Sequence, residues 1–443
     1  MRPARPTRLV RLAAIALCCS LVGVAAVTAV VAAPPPAPVC GVCGSSVENV
    51  SVSGATGSGT LDIYVDETGD SLWHARVPVT ESAAERYRTN ATALKAAVER
   101  AWPRYHVADG DIRTVETALE DGTVVVNYTV DDIARRGVGE SWVVDYFHEK
   151  DLATNYDQQA RRVTLHTPDG TVVTNRPTDA SVDGNAATWT RDSTGASDRD
   201  FDEAVYVTYG EDSLLGTASG HATIALTVGP PALRQGLIAG TGPGLLIGIV
   251  GVGIGRFVAG GRADVDTAAL ERAIAVIGVV GGLGFVLVGT LTSAQRVPPG
   301  VVTLAMLGFG YASLGSAARR VGGRLETGGL TGLAVLATIV TGGVTVALAG
   351  PPIYASPLLF GLATALFLPI GYAIERGRTP VVPLAIGAIT PIAAATMAFP
   401  VSRLLHRFYV PLAVLQLLSW VAVVAVFGFP LALLGRELAS EGG

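Results

Sequence analysis

Apolar and polar positions follow two different rhythms along this chain. Uncharged apolar stretches run over residues 236–255, 273–293, 300–317, 329–349, 357–374, 380–400 and 409–434, separated by short turns. At 1.5 Å per helical residue each is about long enough to cross a hydrocarbon core of ~30 Å. The pattern predicts an all-α bundle of about seven transmembrane helices over residues 234–436, with a short cytoplasmic tail at 437–443.

The preceding part alternates at period two. Leu61, Ile63 and Val65 fall on one face, a turn rich in Asp and Gly occupies 66–70, and Trp73, Ala75, Val77 and Val79 alternate again. That spacing predicts a β-hairpin. Ser82 and Glu85 have the spacing of a capping box, and Ala84, Tyr87, Ala91, Leu94, Val98 and Ala101 recur at three and four before Pro103. One amphipathic helix is expected there. Strand-like runs follow at 113–119, 123–130, 141–147, 161–166, 171–174, 204–209 and 222–228, with turn signals at Glu120-Asp121-Gly122 and Pro168-Asp169-Gly170. Many strands and one helix predict a β-rich α+β extracytoplasmic domain over 60–229.

The first 33 residues follow neither rhythm. Arg2, Arg5, Arg8 and Arg11 precede an uncharged run from Leu12 to Ala33. A basic start with an apolar middle is the form of a signal peptide, and 22 apolar residues also suffice for an N-terminal membrane anchor. Small residues at Val24 and Ala26, or Val27 and Ala29, suit a signal peptidase, whereas Leu17 before Cys18 does not suit a lipoprotein signal. Residues 34–59, rich in Pro, Gly and Ser, are expected to form a tether.

Charge gives the spans a direction. Residues 34–233 carry 30 Asp+Glu against 15 Lys+Arg, net −15, while the rest of the chain is net +10. With the acidic domain outside, nine arginines fall in inner loops (Arg256, Arg262, Arg272, Arg319, Arg320, Arg324, Arg376, Arg378 and Arg436). Only Arg234, Arg296, Arg403 and Arg407 fall outside. The positive-inside rule therefore predicts a cell-membrane protein with its ectodomain outside and its C-terminus cytoplasmic. Three glycosylation sequons, at Asn49, Asn90 and Asn127, all lie on the side expected to be outside. So acidic a domain argues against nucleic acid as a partner. Lys95 and Lys150 are the only lysines, and a surface crowded with Asp fits a high-salt proteome, where dissolved ions screen carboxylate repulsion.

Candidate chemistry is sparse. Gly236, Gly240, Gly244 and Gly248 repeat every four residues in the first span, a row that lets another helix approach closely. Packing inside the bundle is the plainer reading; a dimer interface or a moving gate kinked at Pro243 is the other. Cys40 and Cys43 form a Cys-x-x-Cys that lacks a second pair or nearby histidines for zinc, so a disulfide is expected, local or to a partner. Asp198, Asp200, Asp202 and Glu203 resemble the start of a calcium loop, but the Gly and the distal carboxylate are missing. His148-Glu149 lacks the second histidine of a zinc helix, and His74, His106, His166 and His221 are scattered singly. No catalytic, cofactor-binding or metal-binding residue is assigned, and no cofactor is expected. The spans carry no Asp, Glu, Lys or Arg at mid-depth, which argues against proton relays, ion-coupled carriers and intramembrane proteases.

An export signal, a domain opening with the hairpin Thr60-Leu61-Asp62-Ile63-Tyr64-Val65 and a Trp73-bearing second strand, and a helical bundle together resemble uncharacterised haloarchaeal multi-pass membrane proteins. The resemblance rests on architecture and composition and implies no activity. The layout is also similar to bacterial seven-helix receptors, but here the sequence ends at Gly443 without an effector domain, so a signal would need a separate partner. A surface protein that binds, senses or assembles through its acidic ectodomain, with a protein partner besides the bilayer, is the first expectation. A transporter or channel subunit with a Gly-rich helix interface is the alternative, and an enzyme ranks last.

Overall fold

The structure, a computed structural model, describes residues 37–44, 51–102, 112–147, 156–177, 179–191, 200–201, 205–260, 267–292, 299–349, 356–399 and 410–441. The chain divides into two compact units, one ending at Pro230 and one running from Pro231 onwards.

The first unit is built on a seven-stranded sheet of order β11-β12-β9-β2-β3-β5-β4. Its centre is the hairpin of β2 (Thr60–Val65) and β3 (Ser71–Pro78), in which Ile63 pairs with Trp73. Beyond β3 lie β5 (Thr123–Val130) and the edge strand β4 (Ile112–Glu120). On the other side β2 pairs in parallel with β9 (Arg162–His166), followed by β12 (Ala186–Thr190) and β11 (Ser181–Asp183). Alternation puts Leu61, Ile63, Trp73, Ala75, Val126, Tyr128, Val163, Leu165 and Trp189 on one face, where all are buried. Trp73 is fully enclosed against Tyr128, Tyr146 and Phe147, and its indole N–H donates to Ser71 Oγ at 2.8 Å.

The helix expected over 82–101 is two helices, α1 (Glu81–Thr89) and α2 (Ala91–Ala101). Asn90 is extended (φ −146°, ψ 93°), and its Oδ1 accepts the Ala93 N–H at 3.0 Å, restarting the helix. Thr80, not Ser82, caps α1. Both helices bury their apolar stripe in the core of the sheet.

A second sheet has the order β10-β14-β7-β6, from β6 (Ala134–Arg136), β7 (Trp142–Val144), β10 (Val172–Val173) and β14 (Val207–Gly210). Short pairings of β1 (Ala37–Pro38), β8 (Tyr156–Asp157) and β13 (Asp200–Phe201) form a third.

Two expectations are corrected here. Residues 222–228 are not a strand but part of the helix α3 (Leu214–Gly260). Ser219, Thr223 and Thr227 recur at four, not two, and that face meets the second sheet. Thr223 Oγ1 accepts the Val138 N–H at 2.8 Å and bonds Ser141 Oγ at 2.6 Å, while Arg135 donates to Thr227 Oγ1 at 3.1 Å. Nor do the described parts of 34–59 behave as a tether. Val39, Cys40, Val42, Cys43, Val52 and Ala55 are buried in the core. The physical reason is size: a Cβ on Gly59 would lie 2.6 Å from the Arg76 carbonyl, so only glycine lets the segment lie against β3, where the Gly59 N–H donates to Cys43 O at 2.8 Å.

The second unit is helical. Among the described residues seven helices are long and apolar enough to cross a membrane: α3, α4 (Thr267–Thr292), α5 (Pro299–Val321), α6 (Thr327–Ala349), the pair α7 (Ser356–Ala365) and α8 (Phe367–Glu375), α9 (Val381–Ala398) and α10 (Val410–Glu441). Pro369, which has no N–H to give, lies just beyond the interruption between α7 and α8 at Leu366. That broken span is the most enclosed, whereas α4 exposes Val276, Val280, Leu283, Leu287 and Leu291 along its length. An apolar surface of that kind is a lipid-facing one, and the chain is a multi-pass membrane protein whose bundle follows a sheet-rich α+β region.

Glycine permits close approach of helix backbones in the bundle. Gly278 and Gly282 of α4 meet Gly308 of α5, Gly371 of α8 meets Ala432 of α10, and Gly435 of α10 meets Leu368 of α8. At one end of the bundle, Arg319 pairs with Glu271 at 2.6 Å and Arg378 with Glu326 at 3.5 Å. There Arg436 Nη1 also donates to the Val258 carbonyl near the end of α3, at 2.9 Å.

Candidate functional site

The face of the seven-stranded sheet opposite the core brings together a set of polar side chains. Positions out of phase with the core alternation supply it: Thr60, Asp62 and Tyr64 from β2, His74 and Arg76 from β3, Asn127 and Thr129 from β5, Arg162, Thr164 and His166 from β9, and Glu116 from β4, with Leu72 of β3 on the same face. Register sets Glu116, Asn127, His74, Asp62, Thr164 and Thr188 in one row across six strands.

Most of the row is fixed by hydrogen bonds. Arg76 Nε donates to His74 Nε2 at 2.7 Å, which leaves the proton on Nδ1 to be donated to Asn127 Oδ1. Thr114 and Thr129 share a hydroxyl contact at 2.9 Å. Tyr64 stacks on His166 with centroids 4.6 Å apart and planes within 8°. His166 Nε2 is shielded from solvent and has no hydrogen-bond partner, and Asp62 Oδ1 lies 3.6 Å away, beyond hydrogen-bonding distance. Tyr64 and Leu72 are 45% and 44% exposed, so an apolar pair projects beside the polar row.

No family model, no curated protein and no solved structure matches this chain.

A second polar feature closes the β2–β3 hairpin. Asp66 Oδ1 accepts the N–H groups of Thr68, Gly69 and Asp70 and the Thr68 hydroxyl. Partial desolvation raises the Asp66 pKa, but these bonds outweigh it and hold the carboxyl below its ordinary value. Burial pushes the phenols of Tyr128, Tyr206 and Tyr209 well above theirs, so all three stay neutral; Asp145 adds to the shift at Tyr206 and Asp66 to that at Tyr209.

The residues singled out by sequence fall elsewhere. Cys40 and Cys43 are fully buried and bridged to each other, with Cα atoms 5.4 Å apart. A Cβ on Gly236, Gly240 or Gly244 would strike Thr396, Ile392 or Ala388 of α9, whereas Gly248 has nothing within 4 Å. Asn90 is exposed as the cap of α2, and Asn127 is half-buried in the polar row. Asn49, His106, His148, Asp198, Asp202 and Glu203 lie outside the described residues, while Asp200 is in β13. Among the described residues no three His, Cys, Asp or Glu side chains are placed to hold a metal.

Asp62, Tyr64, His74, Arg76 and Asn127 as a group escaped the sequence reading. The available signal was their polarity at the off-phase positions of a strongly alternating hairpin.

Proposed function

We propose that this is a cell-surface binding or assembly protein, with the acidic sheet domain outside the cell and the bundle as its anchor. The observation that carries this is the open sheet face, where side chains from six neighbouring strands, most of them tied to one another by hydrogen bonds or stacking, form an ordered polar row beside two exposed apolar groups. The spans favour an anchor over a carrier, because ionisable groups stand at their ends. The arginine distribution supports the outside placement, the acid-rich surface suits high salt, and a local bridge at Cys40 and Cys43 suits an oxidising compartment.

Two measurements test this. With Cys18 and Cys19 replaced by Ser, an impermeant maleimide on intact cells should label Asp169→Cys and spare Ser440→Cys; the reverse pattern refutes the orientation. A photo-crosslinking residue at Leu72 should give a mass-shifted adduct in native membranes that the same residue at Val182, on the edge strand, does not. Absence of any adduct at Leu72 refutes the binding role of the face.

A further inference from the structure

We infer that two copies of this chain join edge to edge, β4 of one pairing antiparallel with β4 of the other about a two-fold axis at Thr117. The pairing goes beyond the reading above and does not depend on what the open face binds.

β4 is an outer strand of the seven-stranded sheet, and among the described residues no strand pairs with its free side. The opposite edge strand, β11, has three residues, whereas β4 has nine, with neither Pro nor Lys to discourage pairing. The turn between β4 and β5 determines which backbone groups are unpaired. Asp121 (φ 47°) and Gly122 (φ 76°) form a two-residue turn with both residues left-handed, so the flanking pair, Glu120 and Thr123, exchanges two hydrogen bonds. Alternation from there commits the backbone of Glu116, Ala118 and Glu120 to β5 and turns the N–H and C=O groups of Val115, Thr117 and Leu119 to the free edge. Val115 is also 50% exposed, although it pairs with the buried Tyr128 on the core side of the sheet.

Charge selects the register. A two-fold axis normal to the sheet keeps the two core faces on one side, so odd-numbered residues face odd and even face even. Centred on Glu116 it sets that carboxylate against its own copy, and centred on Ala118 it sets Glu116 against Glu120 twice; like charges directly opposite are destabilising. A centre at Val115 runs into the irregularity between Ile112 and Val115, and one at Leu119 runs into the turn. Centred on Thr117, Glu116 faces Ala118, Glu120 faces Thr114, and Val115 packs against Leu119 at both ends. Each outward group from Val115 to Leu119 then finds a partner, with two backbone bonds in each of the pairs Val115–Leu119, Thr117–Thr117 and Leu119–Val115. A strand complementary to itself in one register is what an isologous contact between identical subunits requires. The two open faces then lie on one side of a single joined sheet.

The test uses the full chain in detergent, with Cys18 and Cys19 replaced by Ser. On oxidation Thr117→Cys should give a covalent dimer, because the Cα atoms of a hydrogen-bonded pair stand ~5.5 Å apart, within reach of a disulfide. Glu120→Cys should not, because its two copies are offset along the strands by about 20 Å in this register. Sedimentation at ~0.1 M salt, where the Debye length is ~10 Å, reads the charge complementarity. Ala118→Lys, facing Glu116, should lower the dissociation constant of the dimer and Ala118→Glu should raise it, each by roughly two- to thirtyfold for two symmetric pairs. Thr117→Pro removes an N–H that β5 does not use, so it should fold and remain monomeric. No dimer from Thr117→Cys, equal crosslinking from Glu120→Cys, or Ala118 variants that shift in the same direction overturns the inference, as does a folded Thr117→Pro that pairs as tightly as wild type. None of these variants should abolish an adduct at Leu72, so the edge pairing and the binding role of the open face fail separately.

Discussion

Replacing Trp73 with alanine should cost the first unit a large part of its stability. The side chain is fully buried, touches three other aromatic rings, and donates a hydrogen bond to Ser71 Oγ, which itself donates to the Val130 carbonyl at 3.0 Å. Burying ~200 Å² of indole at ~25 cal/mol per Å² corresponds to about 5 kcal/mol. The lost hydrogen bond adds about 1 kcal/mol, while partial collapse around the cavity returns some of the total, so about 4 kcal/mol is expected. For a unit of this size that corresponds to a fall of roughly 8–16 °C in melting temperature. Thermal unfolding of the full chain in detergent, followed by near-ultraviolet circular dichroism, reads the change. Trp73→Phe, which keeps the ring but loses the indole N–H, should recover more than half of it. A shift below about 4 °C for the alanine variant would mean that the aromatic cluster is not the centre of this core.

Further expectations concern other elements. Gly240→Leu should destabilise the bundle by at least ~1–3 kcal/mol, because a Cβ there lies 2.5 Å from Ile392 Cα, whereas Gly248→Leu, with open space, should be near neutral; equal effects in a detergent melting assay would contradict the packing of α3 on α9. Mass spectrometry of unreduced protein should find Cys40 and Cys43 two hydrogens short in one peptide, and ready alkylation of native protein would count against a buried bridge. Asp66 has a folded-state pKa below its ordinary value, so its stabilisation is present above that value and is lost as pH falls through the folded pKa. The gap in melting temperature between wild type and Asp66→Asn should therefore be widest near neutral pH and close in acid; a gap that does not change with pH would rule this out. With net −15 over residues 34–233, melting should rise from dilute to molar salt as the Debye length falls from ~30 to ~3 Å, and a flat response would show that carboxylate repulsion is unimportant.

The parts of the molecule that sequence predicts well are those governed by one local period. The spans need only length and apolarity, and the β2–β3 hairpin needs only alternation about a tight turn. Where two periods compete the local signal fails: Ala222, Ile224 and Leu226 alternate like a strand, and only the contacts of Thr223 with Val138 and Ser141 decide for a helix. The break at Asn90 is similar, since the apolar spacing continues across it while a side-chain cap restarts the helix. Residues 37–44 and 51–59 mislead through composition, because small residues that suit a tether also suit a segment packed against a strand. The polar row is legible only in hindsight. His74 and His166 are isolated in the sequence, and they share a face only because β9 pairs with β2.

That pairing has a consequence for how the domain comes into being. Thr60 finds its partner Arg162 only after two helices and several strands have been made between them, so the sheet cannot close by local steps. Contacts so distant along the chain slow folding, because a long loop must close before any of them forms. Until β9 arrives, the β2–β3 hairpin holds one edge of β2 unpaired, and an unpaired edge is a template for pairing with the wrong chain. The row across the sheet is thus complete only once β9 has paired with β2, and any mutation that delays that pairing should appear first as aggregation.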